Sequence, residues 1–192
     1  MAEEGEKLVE YELVTDKGEK KNTSVEYSGK GKATYPNGDV YEGEFVNGLR
    51  HGPGGTYTYA GDAKAAPADG GEEGAPAVTK EVYVGEWKDN LKHGIGKQNY
   101  IGQGEYTGYW EKGEKHGEGV MKYLNGDIYS GQWANGNKEG QGTYIFDKTA
   151  SKFIGTFKAG QIVNGKWLYP NGSYFHGNFE NNQPKGKGQW HF

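Results

Sequence analysis

An aromatic-x-Gly-x-aromatic pentad recurs six times along the chain, and this recurrence limits the fold more than any other feature. The copies begin at Tyr41, Tyr83, Tyr106, Tyr129, Phe153 and Phe175, at steps of 42, 23, 23, 24 and 22 residues. The first step is one period of 23 plus an insertion of 19. A second element follows the pentads: His51-Gly52-Pro53-Gly54, His93-Gly94-Ile95-Gly96, His116-Gly117-Glu118-Gly119, Glu139-Gly140-Gln141-Gly142 and Lys185-Gly186-Lys187-Gly188. A period of this size marks a solenoid, in which each unit is stable only against its neighbours.

Each unit reads as two short strands. Tyr106, Gly108 and Trp110 are spaced by two and share a face, as do Gly117, Gly119, Met121 and Tyr123. Lys112-Gly113 and Asn135-Gly136 are tight-turn dipeptides between them. Asn37-Gly38-Asp39, Asn125-Gly126-Asp127 and Asn171-Gly172-Ser173 close units with turns that need positive φ. Glycine inside a strand is weakening. Its repetition at Gly43, Gly85, Gly108, Gly131, Gly155 and Gly177 therefore implies packing, with a ring from the neighbouring hairpin over the bare backbone. The prediction is an all-β protein, an elongated single-layer antiparallel sheet of stacked hairpins. Its stability would be a sum of neighbour contacts.

The irregularities carry their own expectations. In the unit at Tyr41 the ring position falls on Thr58, between Tyr57 and Tyr59, and the extra Gly55 suggests a bulge. Val163 stands for a glycine in the unit at Phe153. Residues 1–26 form an N-terminal segment in which Tyr11 begins a degenerate first copy, and residues 27–192 form the array. Residues 60–80, rich in Ala, Gly, Pro and acid, read as a flexible insertion. Phe192 falls on the last ring position, where an open sheet edge invites pairing with another chain.

Composition excludes several classes. Hydrophobic residues are 33% and aromatics 14%, which fits a thin sheet packed by rings better than a thick core. The net charge of −4 argues against nucleic acid and against an anionic membrane surface. There is no cysteine, so disulfides and thiolate metal sites are excluded. The polar, acidic start and the lack of a long apolar run predict a soluble intracellular protein.

Tyr-x-Gly-x-Trp, a glycine seven residues after the Tyr, and His-Gly-x-Gly, repeated every 23 residues, resemble the MORN (membrane occupation and recognition nexus) family over about residues 27 to 192. The departures are the insertion, Val163, and Glu139 and Lys185 in place of His. Within that family the stretch Tyr35–Tyr59 is similar to repeats of the radial spoke head proteins of motile cilia and flagella. The resemblance implies a scaffold subunit of the axoneme. Its partners would be other spoke head proteins, including a second MORN subunit or the chain itself. The alternative it leaves is a membrane-associated or cytoskeletal adaptor outside the cilium.

Catalytic signatures do not appear. There is no Gly-x-Ser-x-Gly, His-Glu-x-x-His or P-loop, and the acids Glu42, Glu44, Glu86 and Glu105 read as surface charge. His51, His93 and His116 occupy one repeat position, and equivalent residues of a solenoid lie in a row, not around an ion. No enzyme, cofactor, metal or small-molecule substrate is expected. The candidate partner surface is the double row of rings, Tyr41, Tyr83, Tyr106 and Tyr129 with Phe45, Trp87, Trp110, Trp133, Phe157 and Phe179. Most of these are expected to pack over strand glycines, with some left accessible as interface anchors. Recurring lysines (Lys92, Lys112, Lys115, Lys122, Lys138) suit phospholipid, but the interspersed glutamates oppose it.

Overall fold

The structure, a computed structural model, describes residues 10–61 and 80–192. The expected insertion therefore lies almost wholly outside the described residues, as does the start of the N-terminal segment. The strands are β1 (Glu12–Thr15), β2 (Lys20–Lys21), β3 (Gly29–Thr34), β4 (Val40–Val46), β5 (Leu49–Thr58), β6 (Val82–Lys88), β7 (Leu91–Tyr100) and β8 (Gly104–Glu111). They continue as β9 (Glu114–Tyr123), β10 (Ile128–Ala134), β11 (Asn137–Ile145), β12 (Lys152–Lys158), β13 (Gln161–Leu168), β14 (Tyr174–Glu180) and β15 (Gln183–His191). All fifteen join one open antiparallel sheet in sequence order, except that β1 lies between β2 and β3. Among the described residues there is no helix. At about 4.8 Å between strands, the sheet extends about 67 Å across its strands.

The turns follow from their residues. Lys112 and Gly113 have φ of 50° and 87°, and Asn135 and Gly136 have 48° and 77°. Both central positions are left-handed, which makes the two-residue hairpin whose twist matches its strands.

The register is built on one line of glycines. Gly55, Gly85, Gly96, Gly108, Gly119, Gly131, Gly142, Gly155, Gly165, Gly177 and Gly188 pair in succession from β5 to β15. A Cβ on Gly108 would lie 2.5 Å from the Cα of Gly119 and 2.6 Å from the Tyr106 hydroxyl. The covering ring thus belongs to the unit's own tyrosine, not to the neighbouring hairpin as expected. Tyr106 precedes Gly108 by two, points to the same face and leans along its strand. Its hydroxyl donates to the Tyr109 carbonyl at 2.9 Å, and Tyr41, Tyr83 and Tyr129 repeat this bond. The neighbour contributes the indole instead: Trp87, Trp110 and Trp133 donate Nε1–H to the carbonyls of Gly55, Gly96 and Gly119, each at 3.2 Å.

A bulge is a regular part of the hairpins, not a local feature at Gly55. Gly108 pairs with Gly119 and Tyr109 with His116, which leaves Gly117 and Glu118 without partners on β8, although both pair with β10. The His-Gly-x-Gly element is this bulge, with Gly117 at φ 56°. In the unit at Tyr41 the bulge widens to take the extra residue, so Gly55 stays in register with Gly85 and Tyr57 faces Tyr41. In the unit at Phe153 it shrinks, with Thr156 opposite Asn164 and Phe157 opposite Ile162. Val163 is the bulged residue there, and the glycine line continues through Gly165.

The first 26 residues contribute β1 and β2, and Leu13 opposite Ala33 is fully buried. Tyr11 packs on Tyr35 at 4.9 Å between centroids.

Candidate functional site

The sheet has two unlike faces. Alternation puts the pentad rings and the glycine line on one face, and Glu42, Val84, Thr107, Ser130 and Ile154 on the other. The ring face is layered. Its inner tier holds Tyr41, Tyr83, Tyr106 and Tyr129, all at 0% exposure, with Phe153 and Phe175. It also holds Phe45, Trp87, Trp110, Trp133, Phe157 and Phe179, none above 6% exposed. Each ring meets the next edge to face: Tyr83–Trp110, Tyr106–Trp110 and Tyr106–Trp133 all have centroids 5.2 Å apart. These contacts run within and between hairpins and weld the array. The structure therefore places the candidate partner row inside the fold. A partner does not meet these rings directly, because the chain's own next tier covers them.

That tier is made of cations and half-buried rings. Arg50, Lys92, Lys115 and Lys138 fall at one repeat position, the second residue after the hairpin turn. Their Cα partners are Phe45, Trp87, Trp110 and Trp133. The carbonyls of all four accept an N–H from the next hairpin's turn: Asn90 at 3.0 Å, Gly113 at 2.9 Å, Gly136 at 3.1 Å and Gly160 at 3.0 Å. Their side chains lie over rings. The Arg50 guanidinium carbon is 4.7 Å from the Trp87 ring centre and 5.0 Å from Tyr57. Lys92 Nζ is 4.6 Å from Trp110, Lys115 Nζ 4.7 Å from Trp133, and Lys138 Nζ 4.7 Å from Tyr144. Half-buried Tyr59, Tyr100 and Tyr123 flank Lys92, Lys115 and Lys138. Such contacts favour a cation that has lost part of its water.

The electrostatics of the row are unusual. Among the described residues, none of the four cations has a carboxylate within salt-bridge distance. Arg50 instead donates to the Asn90 carbonyl at 3.0 Å, and Lys92 to Gln98 Oε1 at 2.5 Å. Burial pushes the Lys92 amine down to about 8, against the pull of Glu81. Burial also lowers Lys115 and Lys138 below the ordinary lysine value; for Lys138 the charge of Lys115 adds to this and Asp127 opposes it. Two hollows, of about 350 and 290 Å³, open at the ends of the row, one lined by Arg50, Tyr35 and Tyr57, the other by Lys138, Tyr144 and Trp167.

The unit-closing aspartates position the outer rings. Asp39 accepts from the Tyr57 hydroxyl at 2.6 Å and the Ala60 amide at 2.7 Å, and Asp127 accepts from Tyr144 and Asp147 at 2.7 and 2.9 Å. Burial alone would raise the Asp39 carboxyl, but the bonds from Tyr57, Ala60 and Asn37 bring it below the ordinary carboxylate value.

On the back face the acids serve the bulges and strand pairs. Glu86 Oε1 accepts the Ile95 amide at 2.8 Å, and Gln132 does the same for Gln141 at 2.9 Å. Glu105 pairs with Lys97 at 2.8 Å. His51 and His116 lie 3.5 and 3.3 Å from single carboxylates, those of Asp89 and Glu111. Among the described residues no group of three potential ligands could hold a metal ion.

Sequence reasoning missed the cation row as a unit. It grouped Lys92, Lys115 and Lys138 with Lys112 and Lys122, which are exposed and stack on no ring, and it left out Arg50. The signal was available: Lys115 precedes Gly117 by two and so shares the parity of the ring face.

No curated protein matches the chain. A family model, the MORN repeat, matches seven segments: 26–40, 41–62, 83–101, 106–128, 129–148, 153–174 and 175–192. Six of the seven matches begin on a pentad aromatic, and together the seven cover well over half of the residues. With the glycine line and the bulged hairpins in phase with those matches, the chain belongs to the MORN repeat family, a repeat type of non-enzymatic scaffold.

Proposed function

We propose that the chain is a non-catalytic scaffold subunit of the radial spoke head in the axoneme of cilia and flagella. It assembles there with other spoke proteins, and motility depends on those contacts. The observation that carries the scaffold part is the tier of desolvated cations and half-buried rings that runs over the welded core. Aromatic rings and arginine of this kind anchor protein interfaces. The spoke part is supported by the likeness of Tyr35–Tyr59 to spoke head repeats. The test is affinity purification of the tagged chain from salt-extracted axonemes, with mass spectrometry of what co-purifies. Recovery of spoke subunits is expected. Recovery only from a cytosolic or membrane fraction contradicts the spoke assignment and leaves the repeat array intact.

A further inference from the structure

We infer that the cation row of the ring face binds an acidic polypeptide segment in the polyproline II conformation, with a carboxylate at every third residue. The inference deepens the scaffold reading and rests on it for the existence of a partner.

Three observations lead there. First, the slot does not require a cation. Their repeat position is filled by Ile162 in the unit at Phe153, at 0% exposure, and by Pro184 in the last unit. An aliphatic side chain thus fits the slot. Yet four consecutive units keep a partly desolvated cation there, with no described carboxylate in contact. Retaining an unpaired cation in such a place costs stability, which a binding role offsets. Second, the missing group is an anion. Asp39, Glu81 and Asp127 act on the row only from a distance. Carboxylates brought by a partner would complete four ion pairs at a low-dielectric surface.

Third, the spacing selects a backbone. The cations lie on β5, β7, β9 and β11, so successive ones are two strand spacings apart. That is about 9.6 Å. Polyproline II rises about 3.1 Å per residue with three residues per turn, so residues i and i+3 share one side about 9.3 Å apart. A β-strand returns to the same side at about 6.7 or 13 Å, which misses the repeat. A helix comes nearest at i+7, about 10.5 Å, and drifts by about 3 Å over three steps. Flat aromatic surfaces between the cations, Tyr100 and Tyr123 among them, suit the proline-rich backbone that this conformation favours.

The test uses the full chain and a fluorescent (Glu-Pro-Pro)4 peptide, with binding read by anisotropy at about 0.15 M salt. A (Gln-Pro-Pro)4 peptide, a peptide with four glutamates at every second position, and phosphatidylserine vesicles are the comparisons. The expected result is saturable binding of the first peptide, at least tenfold tighter than either peptide control. The double variant Lys92→Met/Lys115→Met should lose at least tenfold while keeping its circular dichroism. Lys112→Met/Lys122→Met, which removes the same charge away from the rings, should change binding less than threefold. Equal binding of the two acidic peptides, or equal loss in the two double variants, would overturn the inference in favour of general charge attraction. Vesicle binding that the ring-face variant abolishes, without peptide binding, would overturn it in favour of a lipid surface. No binding of any probe would overturn it outright. The proposed function fails separately: the spoke assignment if no spoke subunit co-purifies from axonemes, and the scaffold reading if no protein co-purifies from any fraction.

Discussion

Replacing Trp110 by Ala removes one link of the inner tier, and its cost can be worked from the structure. The side chain is 3% exposed. A tryptophan buries roughly 200 Å², which at about 25 cal/mol per Å² is about 5 kcal/mol. Alanine keeps the Cβ, about 1 kcal/mol of that sum. The indole bond to the Gly96 carbonyl at 3.2 Å is also lost, at about 1 kcal/mol. The total, about 5 kcal/mol, lies at the upper end of the usual range for Trp→Ala in a core. The loss should reach the preceding hairpin as well as its own, because Trp110 touches Tyr83 in the one and Tyr106 in the other. Urea unfolding followed by circular dichroism measures it. The same change at Trp190, which is 49% exposed, should cost less than half as much. A loss at Trp110 below about 1 kcal/mol, or equal losses at the two sites, would refute the internal packing.

Further changes probe the other layers. Lys115→Ile should stabilise the chain by about 0.5–2 kcal/mol, seen as a higher melting temperature, because the slot already takes Ile162; a loss of stability contradicts the desolvation argument. Gly108→Val should abolish the local hairpin, seen by hydrogen exchange in β8 and β9, since its Cβ would lie 2.5 Å from the Gly119 Cα; protection equal to the parent's refutes it. Stability should also depend on alkaline pH. Lys92, lowered from 10.5 to about 8, makes the unfolded state bind more protons between those values, so its contribution rises with pH over that window. Tyr41, Tyr83, Tyr106 and Tyr129, all raised above 10.0 first by burial, reverse the trend once the unfolded tyrosines ionise. The urea midpoint should therefore peak near pH ~9–10; a monotonic fall from pH 7 contradicts it.

Much of the fold was readable because its determinants are local. Lys112-Gly113 and Asn135-Gly136 fix the turns, and parity from Tyr106 to Trp110 fixes the face. The owner of the ring over each glycine was not readable. Spacing alone leaves Tyr106 free to cover its own Gly108 or a neighbour's, and side-chain lean along the strand decides it. The bulge was hidden for a related reason: Gly117 and Glu118 drop out of the pairing with β8 together, and a two-residue skip preserves alternation and so leaves no break in the pattern. The site was less legible than the fold. Lysine in a strand usually marks a solvated surface, and nothing in Lys115 alone says that Trp133 of the next hairpin lies beneath it. Asp39 and Asp127 looked like turn residues, which they are, and their bonds to Tyr57 and Tyr144 join positions 18 and 17 residues apart.

The most direct test of the central claim, an internal ring core beneath a working tier of cations and rings, is hydroxyl-radical footprinting of the free chain and of the chain bound to whatever partner co-purifies with it. In the free chain Trp110 and Trp133 should be protected while Tyr109 and Trp190, each about half exposed, react. In the complex Tyr100, Tyr123 and Tyr144 should gain protection and Tyr109, on the back face, should not. Reaction of Trp110 at the rate of Trp190 in the free chain, or protection confined to Tyr109, would contradict the account.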